Sequence, residues 1–506
     1  MTTIKYLSLT KPQRFLVDVG RFFKGIGLGF VNFFKRLPSK FLSLFNKICA
    51  PFRVIKDAWV KGSWGVRTNF LVFGFYQLTH HEIMRGLLYL IYEVVFIWFM
   101  IGTGVPYLAK LGSLGSFGPT SQFVTDPYEQ IATSIDGDRS FSILLYSIAT
   151  FLLIIIFIAL WYFSVRDAKS LQDNNYVGRF SKNGQFFNDI LDAKYHTLLL
   201  AVPLVGLAAF TVIPVVFMVI TGFTNYSGTQ FYLFDWVGFG NYQSLFSGGD
   251  AAGGTGLIQV FLKVLAWTLL WALIATFTNY FLGMVVALLI NKKGIKLKKL
   301  WRTVLILTIA VPQFVSLLLI NQMLSGNGIL TNLFRDWGWI QGDKAAFDYV
   351  VLSRILIIVV NMWVGVPYTM LICSGILMNI PEDLYESARI DGASSFKMYT
   401  AITLPYMLFI TGPYLLSQFI GNINNFNIIY LLSQGRPSLG LSNLGYGDVG
   451  ETDLLITWIY KMSMEGQEKN YAVACALGVL VFIIIAVFSL VFYGNSSSVK
   501  NEGDFQ

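Results

Sequence analysis

Eight long apolar stretches constrain this chain more than any other feature of its sequence. A bilayer core about 30 Å thick is crossed by roughly 20 mostly apolar helical residues, and each stretch reaches that length between charged or turn-forming residues. The stretches run over 86–109, 141–164, 197–221, 262–290, 303–324, 349–378, 406–432 and 471–493. The chain is also 55% hydrophobic and only 13% charged, about half the charged fraction of a soluble protein. Together these features predict an all-α polytopic membrane protein with about eight transmembrane helices, and they exclude a soluble enzyme.

The distribution of charge predicts how these helices are oriented. Residues 1–80 hold thirteen basic and two acidic residues, and the loops after the second and fourth spans are also basic. The loops after the first, third and fifth spans carry aspartate or glutamate with few cations. Because short basic loops stay in the cytoplasm, we expect both termini and the segment 379–405 to lie there. The basic N-terminal region therefore indicates an anionic membrane surface rather than a nucleic acid.

Residues 1–80 contain no stretch long enough to cross a membrane. Apolar residues recur every three or four positions between Phe15 and Phe41, which predicts a basic amphipathic helix on the inner membrane surface. A solvated cytoplasmic helix bundle is the alternative. The chain is accordingly divided into this surface segment, two membrane helices with their loops over 81–196, a six-helix core over 197–493 and a cytoplasmic tail over 494–506.

The sequence predicts no catalytic, nucleotide-binding or metal-binding residues on this chain. A P-loop requires a Gly-Lys dipeptide, and the chain contains none. Its three histidines and three cysteines lack the spacings of metal ligands. We therefore expect no cofactor on this chain.

The segment 379–405 has the pattern of two short helices joined by a tight turn. Pro381 suits the first turn of a helix, and Asp391-Gly392 ends that helix because glycine tolerates the left-handed conformation of a C-terminal cap. Ser394 or Ser395 caps a second helix, which is expected to end near Pro405, where the seventh span begins. From the residues alone, this hairpin is either structural filler or a docking element.

Three short runs in this segment resemble the "EAA…G…I.LP" signature of permease subunits of bacterial ABC importers. They are Glu386-Ser387-Ala388, Asp391-Gly392-Ala393 and Ile402-Thr403-Leu404-Pro405, with Ser387 in place of the usual first alanine. The surrounding residues, such as Asn424-Asn425-Phe426, are similar to the larger permease of maltose and maltodextrin importers. The resemblance covers residues 197–493, and we call the segment 379–405 the EAA loop.

This resemblance implies an ABC importer type I permease fold in the bacterial plasma membrane, with 197–493 as the permease core. It implies that the EAA loop docks on an ABC ATPase dimer, which binds the ATP and Mg²⁺ that this chain lacks. The residues given this coupling role are Glu386, Ser387, Ala388, Asp391, Gly392 and Pro405. A second related permease, an extracellular solute-binding protein and an oligosaccharide substrate are the other implied partners.

Polar side chains interrupt the sixth and seventh spans. Gln418, Asn422 and Asn425 follow steps of four and three residues, so a continuous helix would place them on one face that lines a polar cavity or contacts another helix. Amide groups both donate and accept hydrogen bonds, as sugar hydroxyls require. The resemblance implies substrate binding by the residues Asn361, Gly365, Gln418, Asn422, Asn425 and Gln313.

Three other functions remain as alternatives. An ABC permease for another solute is the nearest of them. An ion-coupled secondary transporter would need a charged relay inside the membrane, for which Glu93 in the first span is the main candidate. A membrane glycosyltransferase would use Asp136-Gly137-Asp138, but the predicted orientation places this triplet outside, away from cytoplasmic nucleotide sugars.

Overall fold

The fold is helical, and its helices match the predicted spans. A computed structural model of the chain describes residues 50–117, 120–125, 130–135, 137–178, 191–192, 195–246, 257–292, 294–440, 448–465 and 469–495. In these ranges seven helices are long and apolar enough to cross a membrane, and one further pair, bent by 83°, raises the number to eight if it forms a single span. The predicted all-α membrane fold is confirmed. The predicted surface helix between Phe15 and Phe41 lies outside the described residues.

The chain divides into two compact units, 1–217 and 218–506. The first unit contains α1 (50–61), α2 (Trp64–Thr68), α3 (Phe75–Thr79), α4 (Ile83–Phe99), a π-helical turn (Met100–Gly104), α5 (Val105–Lys110), α6 (Ser140–Tyr176), α7 (Tyr195–Leu207), a second π-helical turn (Ala208–Val212) and the start of α8 (Ile213–Thr221). Between α5 and α6 lies an antiparallel hairpin of β1 (Thr120–Thr125) and β2 (Gln130–Ile135), with Thr120 opposite Ile135. The span pattern gave no indication of this hairpin.

Buried polar groups hold α3 and α4 against α6 in the first unit. Asn69 donates a hydrogen bond from Nδ2 to Ser164 Oγ over 2.8 Å. Glu93 is buried in the first span, and its Oε2 accepts the backbone N–H of Phe73 at 2.8 Å. Glu93 therefore has a structural partner, which favours a structural role over a proton relay.

The second unit contains most of the membrane helices. They are α9 (Gly240–Phe246), α10 (Leu257–Asn291), α11 (Lys298–Ala310), α12 (Gln313–Met323), α13 (Ile329–Asp336), α14 (Val350–Leu377), α15 (Glu382–Ile390), α16 (Ser395–Met398), α17 (Leu404–Ile423), α18 (Phe426–Ile428), α19 (Leu455–Met464) and α20 (Tyr471–Asn495). A short 3₁₀ turn (Ala346–Asp348) precedes α14, and π-helical turns follow α16 (Tyr399–Thr403) and α18 (Ile429–Ser433).

The fourth span, α10, is the centre of the second unit. Its Trp271 is fully buried in a cluster that includes Leu317 of α12 and Ile357 of α14. Further along the same helix, Gly283 lies so close to α14 that an added Cβ would be 2.7 Å from the Cβ of Thr369. Close packing along its length makes α10 the support for the polar residues of the neighbouring spans.

A buried ion pair stabilises the segment between α18 and α20. Lys461 Nζ lies 2.7 Å from Asp453 Oδ2, and the two side chains are 8% and 0% exposed. Lys461 also donates to the backbone oxygen of Gln434 at 2.7 Å, while Asp453 accepts the N–H of Gly450 at 2.8 Å. These additional hydrogen bonds offset part of the desolvation cost of burying two charges.

Candidate functional site

The EAA loop has the predicted helix–turn–helix conformation. The first helix, α15, begins after Pro381 and is capped at its C-terminus by Asp391. Gly392 has a φ of +73°, and the N–H of Ala393 donates back to the oxygen of Ala388 at 2.9 Å. This is the arrangement of a left-handed glycine cap. Ser394, not Ser395, caps the second helix: its Oγ accepts the N–H of Lys397 at 3.3 Å.

The second helix of the EAA loop differs from the prediction in one respect. It was expected to end near Pro405, but the helix continues through this residue from Ser395 to Ile423. A π-helical turn over Tyr399–Thr403 precedes Pro405, which occupies the first turn of α17. The missing N–H of proline is tolerated there because the wider turn changes the hydrogen-bonding pattern of the backbone. The EAA loop is consequently continuous with the seventh span.

Most side chains of the first helix of the EAA loop are exposed. Glu386, Ser387 and Asp391 are exposed, Ala388 is half-buried, and Glu386 forms no ion pair within the part of the chain that the structure describes. Three apolar side chains are also exposed: Leu384 by 48%, Ile390 by 86% and Phe396 by 76%. Such a mixed apolar and charged surface is suited to a protein partner.

One hydrogen bond fixes the position of α15 against the seventh span. The hydroxyl groups of Tyr385 and Thr403 are 2.8 Å apart, and Thr403 is buried. A weaker contact, from the hydroxyl of Tyr399 to Met284 Sδ at 3.4 Å, joins the following turn to α10. These two contacts join α15 to the residue before the seventh span and the following turn to α10.

Three of the predicted substrate-binding residues, Asn361, Gly365 and Asn422, belong to a buried polar seam on α10, α14 and α17. We use "polar seam" for Trp271, Thr276, Asn279, Asn361, Gly365 and Asn422. Asn422 Nδ2 donates to Thr276 Oγ1 over 3.0 Å, and its backbone oxygen accepts the indole N–H of Trp271 at 3.1 Å. Both bonds join the seventh span to the fourth.

Two amides of the polar seam have unused hydrogen-bonding atoms. Asn361 is 4% exposed and Asn279 is 9% exposed. Asn361 Nδ2, a donor, and Asn279 Oδ1, an acceptor, have no hydrogen-bond partner among the described residues. At Gly365, an added Cβ would lie 2.3 Å from Asn279 Nδ2. Glycine at this position therefore leaves room for the Asn279 side chain between the fourth and sixth spans.

The seventh span is not one continuous helix, which corrects the predicted shared face. Helix α17 ends at Ile423, and Asn425 starts the next short helix, where its Oδ1 accepts the N–H of Ile428 at 3.4 Å. Asn425 Nδ2 still lies 3.5 Å from Asn422 Oδ1. The two amides are near one another because the chain bends, not because they follow a helical period.

The remaining two predicted residues are less closely associated. Gln418 and Gln313 are both half-buried, and neither forms a hydrogen bond with the polar seam in the described part of the chain. Gln313 is the first residue of α12, directly after the 83° bend that divides the fifth span from Lys298 to Met323. Broken helices of this kind occur where transporters bind their substrates.

Sequence reasoning missed the contribution of the fourth span. Thr276 and Asn279 are three residues apart in a mostly apolar helix, so they lie on one face of α10. That spacing indicates a polar contact between helices, but it does not indicate which span α10 contacts. The partners become evident only once α10 is packed against α14 and α17.

Comparison with known proteins assigns the chain to a family. Residues 279–495 match the family described as "Binding-protein-dependent transport system inner membrane component". The galactooligosaccharides transport system permease protein GanP of Bacillus subtilis is 32% identical over 416 residues, which cover 79% of this chain and 92% of that protein. The maltodextrin transport system permease protein MdxF of the same organism is 30% identical over 444 residues, covering 85% and 94%.

A third relative matches a shorter region. The maltose/maltodextrin transport system permease protein MalF of Escherichia coli is 36% identical over 244 residues, which cover 47% of this chain and 45% of that protein. The two Bacillus relatives, in contrast, align over nearly their whole length. Because of this similarity to the two Bacillus proteins over most of its length, the chain belongs to the family of binding-protein-dependent transport system inner membrane components.

Proposed function

We propose that this chain is a permease subunit of an ATP-driven importer of neutral oligosaccharides, with maltodextrins as the favoured substrates. It forms half of the translocation pathway and performs no covalent chemistry. A separate ATPase docks on the EAA loop, a second related permease completes the pathway, and an extracellular binding protein delivers the sugar. The names of the relatives MdxF and MalF support maltodextrin as the substrate.

The polar seam is the observation that carries this proposal. Its hydrogen-bonding side chains are amides, a hydroxyl and an indole, without a charged group among them. The unused atoms Asn361 Nδ2 and Asn279 Oδ1 match the mixed donor and acceptor character of sugar hydroxyls. A polar group buried in the membrane without a partner is costly, which favours a function over a purely structural origin.

The EAA loop supports the second part of the proposal. Its exposed Ile390 and Phe396 are suited to an apolar pocket on a partner, and Glu386 is free to contact a basic residue there. The Tyr385–Thr403 hydrogen bond then connects the docked helix to α17, the helix that carries Asn422 of the polar seam. Movement of the ATPase is thereby coupled to the substrate pathway.

Galacto-oligosaccharides are the second candidate substrate class. GanP, named for their transport, is 32% identical and aligned over 92% of its own length. Both sugar classes are neutral and rich in hydroxyl groups, so the polar seam is compatible with either. The choice between them requires a transport measurement.

Uptake by a reconstituted complex tests the proposal. The chain would be co-expressed with its partner permease, ATPase and binding protein, and proteoliposomes would be assayed with radiolabelled maltotriose and galactotriose. We expect ATP-dependent uptake of maltotriose, and no uptake with an ATPase whose P-loop lysine is replaced. Uptake of galactotriose alone would favour the second candidate, and uptake of neither sugar would contradict the proposal. Uptake that persists without ATP would instead indicate an ion-coupled transporter.

A further inference from the structure

The first unit contains a cavity that the transport mechanism above does not use. Its volume is about 740 Å³, and it lies between α2, α3 and the C-terminal end of α6. Ligand-binding pockets are commonly about 300–1,000 Å³ in volume. None of the residues lining this cavity belongs to the EAA loop or to the polar seam.

The cavity lies beyond the apolar part of α4 and α6. The contacts of Asp167 with Arg85 Nε at 3.9 Å and with the Tyr89 hydroxyl at 3.1 Å mark the end of the apolar part of α4 and α6. Gln172 and Tyr176 follow Asp167 on α6 by about 8 Å and about 14 Å at 1.5 Å per residue. The headgroup layer adds only about 5–8 Å on each side. The cavity therefore extends from the outer edge of the headgroup layer, on the predicted cytoplasmic side.

Aromatic rings and neutral polar groups line this cavity. Trp64 is 76% exposed and packs edge-on against Phe75, with ring centroids 5.8 Å apart. Tyr76 stacks on His80 with centroids 3.9 Å apart. The amide side chain of Asn175 lies beside these rings; it interacts with the Tyr76 hydroxyl and has further donor and acceptor positions. Flat rings beside amides suit a ligand with both apolar faces and hydroxyl groups.

Two lysines near the cavity are ion-paired, and one arginine is hydrogen-bonded to the backbone. Lys61 contacts Asp57 at 3.2 Å, and Lys169 forms an ion pair with Asp173. Arg67 donates to the backbone oxygens of α1, including that of Trp59 at 3.0 Å. The described residues that line the cavity include two histidines, His80 and His81, but no aspartate, glutamate, lysine or arginine. The lining thus favours a neutral ligand over a phosphate or a carboxylate.

The walls of the cavity are fixed by internal hydrogen bonds. Gln172 Oε1 accepts the N–H of Ser63 at 3.0 Å, which holds the start of α2 against α6. Asn69 Oδ1 accepts the N–H of Tyr76 at 3.1 Å, which orients α3. Because these bonds are already present, a ligand would not have to order the site on binding.

We propose that this cavity binds a neutral oligosaccharide of the transported class, with Trp64 as the stacking platform and Asn175 as a hydrogen-bonding group. The choice of oligosaccharide rests on the proposed function, whereas neutrality and aromatic stacking rest on the cavity itself. The site is separate from the polar seam, since the two share no residue.

Equilibrium dialysis of the purified full complex tests this site. The complex, without binding protein or ATP, would be titrated with radiolabelled maltotriose and, in parallel, galactotriose. We expect Trp64→Ala and Asn175→Ala each to weaken binding about ten-fold, equivalent to about 1.4 kcal/mol. Trp98→Ala is the matched control, because Trp98 is 77% exposed and lies on the first span, outside the cavity.

The outcomes separate this inference from the proposed function. Equal binding by the Trp64→Ala and Trp98→Ala variants, or loss of all binding in an Asn422→Ala variant, would overturn the site. Uptake assays on the same wild-type complex decide the function independently. Sugar binding that depends on Trp64, without any uptake, would support the proposed cavity site and contradict the proposed importer function. Uptake without Trp64-dependent binding would support the importer function and contradict the cavity site.

Discussion

The EAA loop and the polar seam use their polar residues in opposite ways. In the EAA loop, Glu386 and Asp391 are exposed, as are the apolar side chains of Ile390 and Phe396. In the polar seam, Asn361 and Asn422 are buried, and Asn422 is bonded to Thr276 of a neighbouring span. The EAA loop thus exposes its charged and apolar side chains, whereas the polar seam buries its amides.

This difference reflects what each region is proposed to contact. A surface that docks on another protein is most effective when its groups are not already bonded within the chain. In the polar seam Asn422 is bonded to Thr276, whereas Asn361 Nδ2 and Asn279 Oδ1 have no partner among the described residues, which is costly inside a membrane. Binding of a sugar at the polar seam would therefore exchange the Asn422–Thr276 bond for bonds to hydroxyl groups.

The largest effect is expected at the turn of the EAA loop. Gly392→Val forces a β-branched residue into a φ of +73°, at a cost of about 1–2 kcal/mol. No heavy atom lies within 4 Å of the added Cβ, so the damage is confined to the turn. We expect ATP-driven uptake to fall about five- to thirty-fold, as measured in proteoliposomes.

The matched control for this variant is Gly338→Val. Gly338 has a φ of +74° and also has open space around its Cβ position, but it lies outside the EAA loop. Co-purification of the ATPase should weaken for the Gly392 variant only. Equal loss of the ATPase from both variants, or normal coupled uptake by Gly392→Val, would remove the coupling role from this loop.

The next prediction compares the two sides of one hydrogen bond in the polar seam. Asn422→Ala removes an amide proposed to contact the sugar, and we expect uptake to fall about ten-fold, a loss of about 1.4 kcal/mol. Thr276→Val removes only the internal partner and leaves the Asn422 amide available to substrate, so its cost is about 0.6 kcal/mol. Uptake rates at a series of loaded binding-protein concentrations measure both. Equal effects of the two variants would make Asn422 purely structural.

The two regions also differ in how far the sequence could predict them. The turn at Gly392 and the cap of the second helix depend on neighbours within a few residues, so local rules identified the turn and restricted the cap to Ser394 or Ser395. Asn425 was predicted to share a helical face with Gln418 and Asn422, but the helix ends at Ile423, before Asn425. The prediction was wrong because this break depends on how the chain packs.

The contribution of Asn279 could not be predicted for the same reason. Its position opposite Gly365 depends on which faces of α10 and α14 meet, and this is set by the whole pattern of packed side chains along both helices. A single helical period indicates that a face is polar, not what it faces. The span number and the apolar lengths, in contrast, follow from hydropathy alone.

The third prediction tests this packing directly. Gly365→Ala places a methyl group 2.3 Å from Asn279 Nδ2, and overpacking of this kind costs about 1–3 kcal/mol. We expect a lower melting temperature for the detergent-solubilised complex. A second substitution, Asn279→Ala, removes the obstructing amide and should restore the melting temperature. A Gly365→Ala complex as stable as the wild type would mean that α10 and α14 are further apart than the 2.3 Å approach to Asn279 implies.

The smallest effect is expected for the bond that joins the EAA loop to the seventh span. Tyr385→Phe removes the 2.8 Å contact with Thr403 while keeping the ring, at a cost of about 0.5–1.5 kcal/mol. Uptake should fall a few-fold while ATP hydrolysis by the complex falls less, because α15 still docks but is held less firmly to α17. Tyr399→Phe is the control, since its hydroxyl contacts only the weak acceptor Met284 Sδ at 3.4 Å. If ATP hydrolysis and uptake decline together in both variants, the Tyr385 hydroxyl stabilises the loop without transmitting movement. In that case α15 would act on the polar seam only through the backbone of the helix that continues from the EAA loop into the seventh span.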